Sequence, residues 1–324
     1  MFSNYIQNLG YFASPNEMLN QALRIQSSQE NYKKLMLGSN FGSEKGQKPF
    51  SEVKENQKML IIRHGERMDT YYGPSWIQNS FNRNGEYVRK DSNMPQTLIY
   101  RENPYEFEFD PPLTENGLNQ ARIHGEELAK TGMRIKHVYS SPALRSIQTA
   151  DKILEGMGLK DRVKIRIEVG LFELMSWQLY IPSSYPWIDK INLKNFGYNI
   201  DMNYKSAVLF ESLKKDETIY DYYKRSHHVT KRISELHEEG NLMLVAHAPS
   251  LEGCSRLLSG ETMRSNEEFA AIIRKIPFLS IAQCEKNSQN GNWRLTPLLS
   301  SYEKFQRALH SGLNSKRQAH KSQK

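Results

Sequence analysis

From residue 58 onward, short apolar runs alternate with stretches in which apolar side chains recur every three or four positions. Met59-Leu60-Ile61-Ile62, Val138-Tyr139, Ile165-Arg166-Ile167 and Leu242-Met243-Leu244-Val245-Ala246 read as strands. Between them, Leu118, Ala121, Gly125 and Leu128 fall on one helical face behind Thr114, a residue suited to capping that helix. A longer segment, 216–239, places Ile219, Tyr222, Ser226, Val229, Ile233 and Leu236 on one face with acids at its start. It predicts a crossover helix feeding the strand that ends at Ala246. Strands alternating with amphipathic helices predict one α/β domain, with a mostly parallel central sheet flanked by helices on both faces.

The pattern fades at both ends. Residues 1–56 are polar, with one weak helical period around Met18, Ala22 and Ile25, and are otherwise linker-like and largely disordered by composition. Past residue 300 apolar content falls again, and 311–324 are expected to be disordered. The predicted organisation is an N-terminal extension (1–56), a domain (57–302) and a basic tail (303–324).

The 324 residues carry a formal charge of +8, which favours anionic partners in general. Lys304, Arg307, Lys316, Arg317, Lys321 and Lys324 put part of that surplus in the tail. No basic face interleaved with aromatics marks a nucleic-acid motif, so nucleic acid is not an expected partner. No run reaches the roughly 18 apolar residues of a spanning helix, and the N-terminus lacks a signal-like core, so no membrane association and a cytoplasmic location are expected. Cys254 and Cys284 form no closely spaced pair. This reads as a reduced protein without a disulfide framework or zinc site, and Cys254-Ser255-Arg256 does not match the loop of a cysteine phosphatase.

The chemistry lies where apolar runs stop. Arg63-His64-Gly65-Glu66-Arg67 places an imidazole between two guanidiniums at a strand end. Arginine offers a planar fork of donors matching phosphate oxygens, and a neutral histidine can attack phosphorus near pH 7. Alone, such a run is more often a solvated turn. Three further runs lead to Arg145, Glu173 and His247, and in open α/β sheets residues at strand ends share the crevice outside the carboxyl edge. His227, His228 and His237, on the long helix, read as surface or packing histidines.

These residues, with Leu113-Thr114-Glu115-Asn116-Gly117, Gln120-Ala121, Ser140-Ser141-Pro142-Ala143-Leu144-Arg145 and Gln148-Thr149-Ala150, resemble the histidine phosphatases, or phosphoglycerate mutase-like superfamily. Arg63 to Asp69, Trp76, Asp110-Pro111-Pro112-Leu113, Leu171-Phe172-Glu173 and Arg274-Lys275-Ile276-Pro277 are similar to the phosphatase domain of the suppressor of T-cell receptor signalling proteins. The resemblance covers about residues 57–300. Nothing before residue 57 is long or apolar enough for the ubiquitin-associated and Src-homology-3 domains of those proteins.

What the resemblance implies is a phosphomonoesterase working through a phosphohistidine on His64, with no metal and no cofactor. Arg63, Arg67, Arg145 and His247 would neutralise the phosphate oxygens. Glu173 would protonate the leaving group and then activate water, with Glu66 the second candidate, Glu168 the third, and a salt bridge to a pocket arginine the structural alternative for Glu173. The expected substrate is a phosphorylated protein or small molecule, an aryl phosphate such as phosphotyrosine or a bulky hydrophobic phosphate ester. A phosphoglycerate mutase-type phosphotransferase and a catalytically weak adaptor for phosphorylated partners remain open. Members of the resembled branch form dimers through this domain, which leaves a homodimer open without an identifiable interface.

Two aromatic-rich insertions follow catalytic motifs. The first, 71–109, includes Tyr72, Trp76, Phe81, Tyr87, Tyr100 and Tyr105; the second, 175–204, includes Trp177, Tyr180, Tyr185, Trp187 and Tyr198. Each is either a lid for a hydrophobic leaving group or a small core beneath a long loop.

Overall fold

A computed structural model describes residues 56–178, 185–298, 302, 305 and 306. The expected helix around Met18, the rest of the extension before residue 56, Tyr180, the side chain of Trp177 and nearly all of the basic tail lie outside the described residues.

Six strands form one sheet: β1 (Lys58–Arg63), β2 (Ile135–Ser140), β3 (Ile165–Ile167), β4 (Asn241–Ala246), β5 (Ile281–Lys286) and β6 (Trp293–Thr296), in the order β3-β2-β4-β1-β5-β6. Pairings among the first four are parallel, and β5 runs antiparallel to both β1 and β6. The mostly parallel α/β sheet expected from the pattern is therefore present.

Eight α-helices accompany it among the described residues: α1 (Met68–Tyr72), α2 (Trp76–Ser80), α3 (Glu115–Lys130), α4 (Leu144–Gly156), α5 (Lys190–Asn195), α6 (Ile219–Leu236), α7 (Ala248–Gly253) and α8 (Asn266–Ile273). Side chains alternate across a strand, so a strand covered on both faces must be apolar throughout. Leu60, Ile62, Val138, Met243 and Val245 face one core with Ala121, Leu128, Ile147 and Ile153 of α3 and α4. Met59, Ile61, Tyr139, Leu242 and Leu244 face the other, with Tyr222, Val229, Ile233, Leu251 and Phe269 of α6, α7 and α8. That is why β1 and β4 read as unbroken apolar runs.

Thr114 caps α3 as expected, its hydroxyl accepting from the Gly117 amide. The long helix is trimmed at both ends relative to 216–239: Thr218 and Asp221 close a capping box before Ile219, and the helix stops at Leu236.

The insertions part company. Trp76, Ile77, Met94, Ile99 and Phe107 of the first are buried in the same core as α3 and α4, while Tyr100 and Tyr105 are exposed. Tyr198, from the second, joins that core too. Tyr185 instead joins Phe172, Met175, Ala143 and Leu213 in a separate cluster, with Trp187 packed against it. Packing also continues past the expected domain edge at 302. Tyr302 bonds His124 Nδ1 at 2.5 Å, and Phe305 meets the His124 ring edge-on.

Candidate active site

The carboxyl ends of three neighbouring strands converge. Arg63 pairs with Ala246 at the ends of β1 and β4, so His64 and His247 follow side by side, and the His64 amide donates to the Ala246 carbonyl at 2.9 Å. Ser140 ends β2 opposite Val245, and the Ser141 amide donates to the Val245 carbonyl. The imidazoles of His64 and His247 lie 5.5 Å apart, edge to face. Arg145 sits in the first turn of α4, and Glu173 follows β3 after the 3-10 turn Val169–Leu171.

His64 is 1% exposed. Burial, reinforced by Arg145, His247, Arg63 and Arg67, pushes its pKa well below the ordinary imidazole value. The ring is therefore neutral at pH 7. Its Nδ1 lies 2.8 Å from the Gly65 carbonyl, which only accepts, so Nδ1 carries the proton and Nε2 keeps the lone pair. The Gly65 amide in turn donates to the Thr149 hydroxyl, which donates to the Arg145 carbonyl, tying the signature turn to α4.

His247 is likewise held neutral, by burial first and then by Arg145. Its Nδ1 faces Arg145 Nη2 at 3.3 Å, a group that only donates, so the proton sits on Nε2, 2.8 Å from Ser141 Oγ.

The three arginines are each pre-set by a different partner. Arg63 stacks on the Phe278 ring at 4.3 Å and donates through Nη1 to the Ile276 carbonyl. Arg67 is paired bidentately with Asp69, at 2.8 and 2.5 Å. Arg145, 3% exposed, lies 3.9 Å from Asp110 and donates to Glu173 at 3.0 Å, while its buried Nε has no hydrogen-bond partner among the described residues. Asp110 is itself fixed by the Leu144 amide and by Arg101, whose other nitrogen donates to the Pro186 carbonyl of the second insertion.

Glu173 stands 3.8 Å from His247 Nδ1 and also accepts from Gln178. Burial alone would raise its carboxyl; a charged His247 together with Arg145 and Arg67 would hold it at about 2, and the guanidiniums keep it below the ordinary carboxylate value when His247 is neutral. With His247 neutral, the lasting partners of the carboxylate are the two guanidiniums.

The competing carboxylates are engaged elsewhere. Glu66 accepts from the Thr114 hydroxyl at the cap of α3. Glu168 accepts from the amides of Gly170, Ala207 and Val208 and the hydroxyls of Tyr204 and Ser206. His237 bonds the Tyr139 hydroxyl and stacks on His137, a packing role.

All six residues singled out from the sequence thus lie around one crevice. Missed were the partners that pre-set them: Ser141, Asp110, Thr149 and Phe278. Three of these four lie inside the quoted motifs, but their tasks depend on contacts across the fold. Leu279, beside Phe278, adopts φ 61°, a left-handed conformation rare for a leucine, and its amide reaches the His64 carbonyl at 3.4 Å. On the crevice's other side, Phe172 meets the His247 ring edge-on at 5.6 Å and packs against Tyr185 and Trp187 at 4.9 and 4.8 Å. Among the described residues no group of three or more His, Cys, Asp or Glu is gathered to hold a metal ion.

Two neutral histidines at adjacent strand ends, ringed by arginines and one carboxylate, thus share one crevice at the edge of an α/β sheet. The Histidine phosphatase superfamily (branch 1) profile matches residues 96–272, a span holding Arg145, Glu173 and His247, and the chain belongs to that family. It is 39% identical over 242 residues to human Ubiquitin-associated and SH3 domain-containing protein B, covering 74% of this chain and 37% of that protein. It is 40% identical over 245 residues to Drosophila melanogaster Ecdysteroid-phosphate phosphatase, covering 74% of this chain and 32% of that one. The chain thus spans about a third of the length of these curated relatives. The crystal structure of the Bombyx mori ecdysone phosphate phosphatase in complex with tungstate superposes with a TM-score of 0.65 at 32% identity, over 75% of this chain and 92% of that one.

Proposed function

We propose that the chain is a metal-independent phosphomonoesterase that passes the phosphoryl group through His64, with an aryl phosphate or a bulky hydrophobic phosphate ester as substrate. The observation that carries this reading is the neutral, fully buried His64 with its Nε2 lone pair inside the cations Arg63, Arg67 and Arg145. A phosphate dianion repels nucleophiles until its oxygens are neutralised, and pre-set guanidiniums do this without reorganising. His64 Nε2 forms the N–P bond as the P–O bond to the leaving group breaks. Water then forms a new P–O bond as the N–P bond breaks, releasing inorganic phosphate and restoring the imidazole.

The leaving oxygen takes its proton from Glu173. Before substrate binds, that carboxyl is ionised, so the proton has to arrive with the substrate. A bound phosphate takes over Arg145 and sets negative charge beside Glu173, and both changes raise its pKa. The same carboxylate, once deprotonated, accepts the proton of the attacking water.

The aromatic cluster of Phe172, Tyr185 and Trp187 against His247 supports a hydrophobic leaving group over 3-phosphoglycerate, whose carboxylate would meet only aromatic and apolar side chains among the described residues of that cluster. The names of the fly and Bombyx relatives, phosphatases of a steroid ester, point the same way. A pure binding module would have no use for a carboxylate held against its own anion-binding arginine.

The test is a substrate panel of p-nitrophenyl phosphate, phosphotyrosine peptide, a steroid phosphate and 3-phosphoglycerate, with quenching in alkaline denaturant to trap labelled enzyme. Aryl and steroid esters should lead, and an acid-labile, base-stable phosphoenzyme should form with wild type and vanish with His64→Ala. Isomerisation of 3-phosphoglycerate, or normal turnover by His64→Ala, would reject the reading.

A further inference from the structure

Helix α6 supplies no group to the crevice, yet two of its side chains reach both flanks of it. Arg225 donates through Nη1 to the carbonyls of Gly170 and Phe172, at 2.8 and 2.9 Å, and through Nη2 to that of Glu173 at 3.2 Å. Its Nε and Nη2 pair with Glu217 at 2.6 and 2.7 Å, and Glu217 also accepts from the Met175 amide at 3.1 Å. The two charged side chains are only 8% and 4% exposed. Four backbone groups between residues 170 and 175, on either side of Glu173, therefore end on one ion pair. The loop is pressed flat on the helix at Gly170, where a Cβ would lie 2.4 Å from Val229 Cγ2.

One turn away the same helix meets the other flank. The Arg225 guanidinium lies over the Tyr222 ring at 4.9 Å, the Tyr222 hydroxyl bonds Ser250 Oγ at 2.9 Å, and Ser250 Oγ accepts from the His247 amide at 3.3 Å. Residues three apart on a helix share a face, so one rigid element references both Glu173 and His247.

We propose that Arg225, fixed by Glu217, is a positioning residue for Glu173, setting the carboxyl at the height where it can protonate the leaving oxygen. The proposal rests on the assignment of Glu173 as proton donor. A buried ion pair of this kind contributes little net stability over apolar packing, so its value lies in geometry. Only arginine can span three carbonyls and a carboxylate at once; a lysine ammonium keeps the charge but not the fork.

Arg225→Lys and Glu217→Gln in the full chain test it, read against an alkyl phosphate, p-nitrophenyl phosphate and vanadate. Arg225→Lys is expected to lose at least about tenfold in kcat/KM on the alkyl ester and less than about threefold on p-nitrophenyl phosphate, whose leaving group departs without a proton. Vanadate inhibition should stay within about twofold, because the anion-binding arginines are not touched. In a Glu173→Gln background the same substitution should add no more than about twofold, since its effect runs through a group already removed. Equal losses on both esters, or the full loss repeated in that background, would overturn the proposal. If Arg225→Lys does not fold, Glu217→Gln enters the same cycle with the same criteria, and failure of both to fold would assign the pair to fold stability alone and reject the positioning role. Equal losses on both esters by Glu173→Gln itself would instead reject the proton-donor assignment, and the cycle would still report whether residue 225 acts through residue 173.

Discussion

A buried histidine costs nothing while neutral and becomes costly when it must take a proton among arginines, so the nucleophile's reactivity and the domain's acid sensitivity have one origin. His64 and His247 both have pKa values pushed down by burial, and their unfolded counterparts titrate near 6.5. Below that value the unfolded chain binds more protons than the native one, so stability falls as pH falls from about 6.5, by at most about 1.4 kcal/mol per pH unit for each ring. Glu173 acts in the same direction in a lower window. Its native value lies below the unfolded carboxyl's, so its contribution is present above about 4.5 and is lost as the pH falls from there through the depressed native value. Thermal midpoints measured from pH 8 to 4.5 in an anion-poor buffer should therefore decline below about 6.5 for wild type, with a shallower slope for His247→Asn. An identical slope in the variant would mean that His247 takes up a proton in the native state as readily as in the unfolded one. At the same scale, Arg145→Lys should lose at least about tenfold in kcat/KM, because a lysine cannot hold Asp110, Glu173 and a phosphate in one plane.

At the scale of elements, what was legible and what was not divide along a physical line. β1 and β4 are covered on both faces, so their apolar runs announced them, and the register of parallel neighbours then carried His64 and His247 to one edge. β5 escaped notice because Gln283 and Glu285 interrupt its run; Gln283 is satisfied by Thr296 and the Pro297 carbonyl, contacts that exist only once β6 is paired. The six site residues were readable because each ends a local pattern. Asp110, Phe278, Glu217 and Arg225 were not, since their partners lie far along the chain and no local period marks them. The turn that carries the signature offers a test of how tightly such elements are fitted. Gly117 lies in the first turn of α3, where helix propensity alone would favour alanine by about 1 kcal/mol. A Cβ there would sit 2.5 Å from the Glu66 carbonyl oxygen and 3.0 Å from its amide, both backbone atoms that cannot swing away. The clash should win, so Gly117→Ala is expected to lose about 1–3 kcal/mol in denaturant unfolding and to lower kcat. A gain in stability would show that the helix and the signature turn are not in close register.

For the whole molecule, the aromatic insertions answer a question the composition left even. The first adds Trp76, Ile77, Met94, Ile99 and Phe107 to the core of α3 and α4, whereas Tyr185 and Trp187 of the second stand against Phe172 and, through it, His247. Long loops are placed by what they cover, and nothing local in the chain distinguishes a loop that covers helices from one that walls a crevice. The C-terminal boundary follows the same logic. A chain ending at 302 keeps Tyr302 on His124 but loses Phe305 from the edge of that ring and loses Gln306, which donates to the Leu279 carbonyl at 3.1 Å. Leu279 is the left-handed residue whose amide reaches the carbonyl of His64, so its restraint and the nucleophile's placement are linked. A chain of residues 56–310 should therefore match the full chain in Tm and kcat. One of residues 56–302 should fold yet lose about 1–2 kcal/mol, from partial exposure of one aromatic contact and one hydrogen bond. Its kcat should fall with vanadate affinity largely kept, because the arginines stay in place while the His64 carbonyl loses its brace. If the two shortened chains are indistinguishable in both stability and kcat, the packing of residues 305 and 306 has no part in holding the nucleophile.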